Sequence, residues 1–481
     1  MIASEMAPLS KTGGLGDVVG ALPGALAGLG CEVTAVIPHL PSMTAKRFGL
    51  VPTGTVVEAR IDGAVRRATV LEATAVGGVR VLCLECPGYF DREALYGTPF
   101  GDYPDNAQRF AFFSYAAIEA ARVLAPGPDV VHTHDWQTGL VPLLLRDAEH
   151  YGSDPFLGEA ATVHTIHNLA YQGVFPKEVL PTLGLSWRHF RMHGLEFFDQ
   201  VNFLKAGLTS ADAITTVSPT YAGEIQTPAS GWGLDGVLRE RAGQGALHGI
   251  LNGIDLHAWD PALDAALPAV FTAKSLARRP RNTEALRGEF GLPPDGRPVV
   301  GLVTRLAAQK GIDLLLGLGD GIEALGAQWT LLGNGDHHYE EAARSLAARF
   351  PDTVGALIGF DERVARLVYG GSDFFCMPSL FEPCGLGQLI AQRYGSLPIV
   401  RRTGGLADTV RDVSEPKGTG FLFDEASPEA LGEAVERAVE FAASPRRMEQ
   451  ARRAGMGRDF SWSASAREYL RVYRDGGSPP A

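Results

Sequence analysis

The chain has 481 residues, 45% apolar and 20% charged, with 43 Lys and Arg against 55 Asp and Glu and a formal net charge of −12. That length exceeds one ordinary core and predicts roughly two to four domains. The acidic balance excludes broad nucleic-acid binding but leaves room for a local basic pocket.

In chain order, the first informative stretch is "SEMAPLSKTGGLGDVVGALP", from Ser4 to Pro23. It sets Lys11 beside Gly13 and Gly14 and then turns helical. It is either a turn before a helix or an anion site, in which bare backbone amides and one cation meet a ligand. The glycine spacing does not match a dinucleotide fingerprint. The following "GALPGALAGLG" resembles a short signal core, but Asp17 precedes it and no basic flank opens the chain. No apolar run approaches the roughly 18 residues a membrane span needs. A cytoplasmic protein without a membrane partner is expected.

"CEVTAVIP" reads as a buried strand. From Val51 to Cys86 closely spaced strands suggest an antiparallel insertion, ending in "VRVLCLEC". Five scattered cysteines, Cys31, Cys83, Cys86, Cys376 and Cys384, do not make a disulfide framework. The lone "CLEC" has no second pair, so Cys83 and Cys86 read as small strand residues. "DNAQRFAFFSYAAIEAARVL" has the spacing of an amphipathic helix.

"DVVHTHD", "ATVHTIHN" and "DAITTVS" are continuous apolar runs, which imply burial on both faces in a parallel sheet. His132, His134, His164 and His167 lie at these strand ends, at spacings poor for one shared metal ion. A polar sugar pocket explains them together with Asp135, Trp136 and Asn168, with half of the four histidines serving core hydrogen bonds.

A second strand set follows "GILNGIDLHAWDP": "RPVVGLVTR", "QWTLLGNG", "GALIGF", "SDFFCMPS" and "LPIVRR". The Pro-rich, charged stretch from Trp259 to Arg297 separates the two sets. The fold expected is α/β, two facing doubly wound Rossmann-like domains. Ligands of such sheets sit at the carboxyl ends of the strands, where every polar cluster here falls. "TRLAAQKG" places Arg305 and Lys310 at one such end. They suit a diphosphate leaving group, or are two solvated cations. In "FEPCGLGQ", Glu382 caps a helix or accepts sugar hydroxyls, and the amides of Cys384, Gly385 and Leu386 can hold an anion or hydroxyl. Cys384 near a helix start is expected to be a small packed residue with a lowered thiol pKa. "RRTGGLADTV" again sets glycines, Gly404 and Gly405, before a helix. "DFSWSASAREYLRVYRD" closes the chain as a capped, amphipathic helix.

These motifs, in this order, resemble the ADP-glucose-dependent glycogen and starch synthases, and the similarity runs end to end. "KTGGL", "HNLAYQG" and "EPCGL" in succession are specific to that family. The resemblance implies a GT-B fold with a catalytic cleft. It divides the chain into an acceptor-side domain at residues 1–250, a nucleotide-sugar domain at 251–459, and a helix at 460–481 crossing back to the first domain. It implies glucose transfer from ADP-glucose to the non-reducing-end 4-hydroxyl of glycogen or a maltooligosaccharide, with retention and with no metal or other cofactor. It places Lys11 and the amides of Gly13 and Gly14 on the donor diphosphate, Asp135 near the transferred glucose, and His167 beside the anomeric centre, with Asn168 adjacent. It places Arg305 and Lys310 on the leaving phosphates, Glu382 on glucose hydroxyls with Cys384 as its neighbour, and the amides of Gly404 and Gly405 on the ligand. Three departures stand out. Only "MIA" precedes "SEMAP", which implies either a misplaced start or a clipped first strand, and with it a weakened N-terminal sheet. Leu380 replaces a common arginine. Ile390 stands where related retaining transferases often carry a second glutamate. The alternatives are a retaining GT-B enzyme using UDP-glucose or another acceptor, and a catalytically weak sugar-nucleotide or glucan sensor, against which Lys11, His167, Arg305, Lys310 and Glu382 speak.

Overall fold

The computed structural model describes residues 1–98, 100–125, 127–155 and 157–475. Among the described residues the chain forms two compact units, one from Met1–Leu251 joined by 462–475, the other from Asn252–Ser461.

In the first unit the buried runs become parallel strands. Val130–His134 pairs with Ala161–Ile166, that with Ala213–Thr216, and that with Leu247–Gly249. On the other side Thr34–Pro38 pairs in parallel with Arg80–Glu85. Ile2 joins the halves, bridging Thr133 and Val36 in parallel. The sheet runs unbroken through this short segment, since Ile2 N–H donates to His132 O and Val36 N–H to Met1 O. Strands early in the chain run one way from Ile2 and later strands run the other. The order therefore reverses between Ile2 and Val130–His134, which makes that edge the topological switch point.

The closely spaced strands from Val51 to Cys86 pair antiparallel, as expected, and extend this sheet at its edge. Val51–Ile61 and Ala64–Thr74 form a hairpin whose outer member extends the edge, and Ala64–Thr74 pairs antiparallel with Arg80–Glu85. Its turn, Asp62-Gly63, has φ of 55° and 70°, the left-handed pair that a two-residue hairpin loop requires. Burial raises the Cys83 thiol to about 12 and the Cys86 thiol to about 11, as befits inert strand residues. The helix Asn106–Leu124 is not amphipathic as expected. It is buried on nearly every face through Ala120, Arg109 included. The Arg109 guanidinium donates from Nε to Tyr89 O and from Nη1 to Leu95 O and Asn106 Oδ1 at 2.6–3.0 Å, while its buried Nη2 meets no partner among the described residues. The helix Trp462–Arg474 packs Trp462, Ala466, Tyr469 and Val472 against Val18, Leu22 and Leu26 of the helix Gly14–Ala27.

The second unit has one six-stranded, all-parallel sheet. Its order is Val354–Ile358, Gln328–Gly333, Val299–Val303, Phe374–Met377, Leu397–Arg401, Phe421–Phe423. The order again reverses, here between Val299–Val303 and Phe374–Met377. The stretch Trp259–Arg297 is part of this unit. It holds the helix Pro280–Phe290, and Leu267, Phe271, Leu276, Leu286 and Phe290 belong to this unit's core. No described helix is long and apolar enough to cross a membrane.

Candidate functional site

At the first switch point the chain leaves Ile2 and forms the "KTGGL" loop. Its organiser is Glu5, 3% exposed, which sequence reasoning passed over. Glu5 accepts from Thr12 N at 2.5 Å, Thr12 Oγ1 at 2.8 Å, Gly13 N at 3.3 Å and Tyr96 OH at 2.9 Å. The Gly13 amide is therefore engaged by the protein itself. Even so, a Cβ on Gly13 or Gly14 would meet nothing within 4 Å, and Gly13 has an extended φ of −154°. Neither packing nor the Gly13 backbone demands glycine, so the bare backbone leaves room for something outside the fold. Lys11 pairs with Asp17 at 2.7 Å, with its side chain 52% exposed. So exposed a pair is weak enough to exchange for an anionic ligand.

Beside this loop Val130–His134 ends in Asp135, whose φ of 53° is left-handed without being glycine. Such strain persists only where the surroundings enforce it. Asp135 accepts the His167 amide at 2.7 Å and also the Asn168 amide, clamping "HTHD" to "HTIHN". Burial raises its carboxyl to about 7, against those two amides, with Glu5 adding repulsion. In the folded state Asp135 thus holds its proton up to about pH 7, whereas unfolded it loses it near 4. The stability this contributes is present below about pH 4 and lost as pH rises toward 7, by at most about 4 kcal/mol. Asp135→Asn is expected to gain stability relative to the parent over that interval. Denaturant unfolding at the two ends of the interval measures it, and an equal difference at both ends contradicts it.

Of the four histidines, three lie in the core. His132 contacts Tyr473 OH and Thr165 Oγ1, both at 2.6 Å, and His164 contacts Thr133 Oγ1 at 2.7 Å. His134 Nδ1 meets His167 Nε2 at 3.0 Å. His167 alone is half-buried, and burial together with His164 lowers it to about 3, so it is neutral. Among the described residues the one group spaced for a metal ion is Asp147, His150 and His189, away from these four. Gln172 braces the "HNLAYQG" turn by bonding the Leu169 and Trp232 carbonyls.

At the second switch point the loop after Val299–Val303 meets the loop after Phe374–Met377. Leu380 N–H donates to Gln309 O at 2.9 Å, and Gln309 Nε2 to Phe381 O at 3.2 Å. Gly311, at φ 68°, makes this approach possible, since a Cβ there would lie 1.9 Å from Pro378 O. Across the junction Lys310 Nζ pairs with Glu382 Oε2 at 2.7 Å, and Ser379 Oγ donates to the same oxygen at 2.9 Å. Glu382 is 6% exposed, and Arg305 stands exposed on the same loop as Lys310. Lys310 and Glu382, assigned separately from the sequence, form one ion pair here.

Gly404 and Gly405 serve close packing. Added Cβ atoms would strike Glu382 O at 2.0 Å and Cys384 O at 2.2 Å, and the Gly405 amide donates to the carbonyls of Glu382 and Pro383 at 3.1 Å. Gly385 is left-handed at φ 74°, and Leu386 precedes the short helix Gly387–Arg393. The lowered pKa expected for Cys384 is corrected. Burial raises its thiol to about 12, against a bond from the Asn252 amide and helped by Glu382 and Asp408. A thiol held protonated is no nucleophile. Cys384→Ala is expected to keep glucosyl transfer within about tenfold of the parent, the loss being one small buried group. A trapped glucosyl–cysteine adduct would contradict this.

Two Rossmann-like units, each with polar loops at its switch point, define a GT-B glycosyltransferase. The starch synthase catalytic domain family matches residues 1–240 and glycosyl transferases group 1 matches residues 286–455. Glycogen synthases of Anaeromyxobacter dehalogenans and Koribacter versatilis are 50% and 46% identical over 98% of this chain and 98% and 96% of theirs. The catalytic domain of starch synthase IV from Arabidopsis thaliana, solved bound to ADP and acarbose, superposes with a TM-score of 0.90. It is 37% identical over 99% of this chain and 98% of its own. Sucrose-phosphate synthase from Thermosynechococcus elongatus, 21% identical over 98% of both chains with a TM-score of 0.60, shares the fold. The chain belongs to the glycogen and starch synthase family.

Proposed function

We propose that this enzyme elongates α-1,4-glucan by moving glucose from ADP-glucose to the non-reducing-end 4-hydroxyl, with retention of configuration. The observation that carries the reading is that Lys11, Asp135, Arg305, Lys310 and Glu382 lie on the loops leaving the strands at the two switch points, with His167 and Gly404 on the loops of the next strands. Membership of the family supports the substrate pair, as do relatives named glycogen synthase and a starch synthase solved with ADP and acarbose.

In this reading Arg305 and Lys310 take up the charge that builds on the leaving diphosphate, and Lys11 exchanges Asp17 for an anionic group of a ligand. Glu382, freed as Lys310 turns to phosphate, accepts glucose hydroxyls. His167 and Asn168, clamped by Asp135, face the transferred glucose. No protein nucleophile is needed if the acceptor attacks on the face from which ADP departs, in keeping with the protonated Cys384. Arg305 and Lys310 supply the positive charge that a divalent metal supplies in other phosphate sites. The test offers maltohexaose and ADP-glucose, with and without EDTA, and resolves the products. A ladder of longer α-1,4 chains, undiminished by EDTA, is expected. Free glucose alone, or elongation abolished by EDTA and restored by magnesium or manganese, contradicts the reading.

A further inference from the structure

The contact between His134 and His167 contains a choice of proton. Nδ1 of the first ring lies 3.0 Å from Nε2 of the second, so one proton sits between two rings held neutral by burial. If His167 donates from Nε2, then His134 must carry its own proton on Nε2. That atom is fully buried and meets no partner among the described residues. If His134 donates from Nδ1, the orphaned atom is a bare lone pair. Buried N–H groups without acceptors are the rarer defect in folded proteins.

His164, on the adjacent strand, faces the same choice. Its Nε2 is also buried and unpartnered among the described residues, and its Nδ1 lies 2.7 Å from Thr133 Oγ1, a hydroxyl able to donate or accept. By the same rule the His164 proton belongs on Nδ1, with Thr133 Oγ1 turning its own proton to Val163 O at 3.2 Å.

We propose that His134 is a positioning residue that fixes His167 as the Nδ1–H tautomer by donating to its Nε2. The proposal rests on the reading of His167 as a residue facing the transferred glucose. Its chemical content is specific. With Nε2 occupied, His167 offers the substrate one N–H donor and no lone pair. It can hold a sugar oxygen in place, but it cannot take the proton of the acceptor hydroxyl, so it is no general base. Packing holds His134 for this task, its ring tilted 33° to that of His132 with the centroids 4.2 Å apart.

The test uses the full chain labelled with ¹⁵N-histidine, with His167→Gln identifying the His167 signals. Long-range ¹H–¹⁵N correlation is expected to show a protonated Nδ1 and a bare Nε2 on His167. His134→Asn, whose amide nitrogen can overlie Nδ1 as a donor, is expected to keep this tautomer and a kcat within about threefold of the parent. His134→Leu is expected to release the tautomer and lower kcat by more than about tenfold at little change in KM, a wrong tautomer costing up to about 10⁴-fold in the best-studied catalytic histidine. Protonated Nε2 on His167 in the parent overturns the proposal whatever the activities, and needs no variant of His134 to fold. The expected tautomer in the parent with an undiminished kcat in folded His134→Leu overturns instead the reading of His167, and with it the catalytic half of the proposal.

Discussion

Arg305→Ala and Lys310→Ala are each expected to lower kcat by about 10²–10³-fold, roughly 3–4 kcal/mol of transition-state stabilisation. Cations that bound only the ground-state donor would raise KM and leave kcat alone, whereas cations that meet charge as it develops lower kcat. The two substitutions should differ in kind. Arg305 is exposed, so its loss removes a charge from the loop and little else. Lys310 is paired with Glu382, whose side chain is 8% exposed, so its loss also strands a buried carboxylate. Lys310→Ala is therefore expected to be the less stable variant and the more impaired in glucose affinity. The double variant should fall short of the sum, because both groups act on one leaving group. Lys310→Arg should rescue only in part, since a planar fork does not reproduce a compact ammonium against Glu382. Steady-state kinetics with circular dichroism decide the matter, and folded single variants with the parent's kcat would remove the role.

Gly311→Ala is expected to be the most damaging methyl added to the second unit. Its left-handed φ costs roughly 1–2 kcal/mol for a residue with a Cβ. The clash with Pro378 O forces the two switch-point loops apart at roughly 1–3 kcal/mol more. With them go the Leu380–Gln309 bond and the Lys310–Glu382 register, so activity should fall by at least about 10²-fold, in line with the loss of positioning. Gly291→Ala is the matched comparison. Its φ of 70° is nearly the same, but a Cβ there meets nothing within 4 Å. It should lose about 1 kcal/mol and keep full activity. Thermal unfolding and kinetics of the pair separate backbone strain from loop docking. Equal effects at the two positions would contradict the account.

The parallel strands were legible because burial on both faces leaves a continuous apolar run, and the strand-end rule then located the polar clusters. Three things were hidden, for identifiable reasons. Glu5 looks like any carboxylate in sequence, because its bonds to the glycine loop and to Tyr96 exist only once Ile2 has entered the sheet. The Lys310–Glu382 pair spans 72 positions and depends on which strands become neighbours at the reversal. The glycines read alike in sequence, yet Gly13 and Gly14 face open space while Gly311 and Gly405 lie under backbone carbonyls. The stretch Trp259–Arg297, placed within the second domain, showed no element through its prolines and charges. Its apolar residues are spaced too irregularly for one element, but they fill the core through turns and one helix. Cys384 misled for a related reason, because proximity to a helix start argues for a lowered thiol only when the thiol is not buried.

The central claim, that this chain transfers glucose from ADP-glucose to a growing α-1,4-glucan, is tested most directly by initial rates of glucose incorporation into glycogen. ADP-glucose and UDP-glucose are supplied separately at equal concentration. The account predicts incorporation from both at most, with ADP-glucose the faster donor and ADP released in step with glucose added. Faster turnover with UDP-glucose, or no incorporation from ADP-glucose by the folded protein, would contradict it.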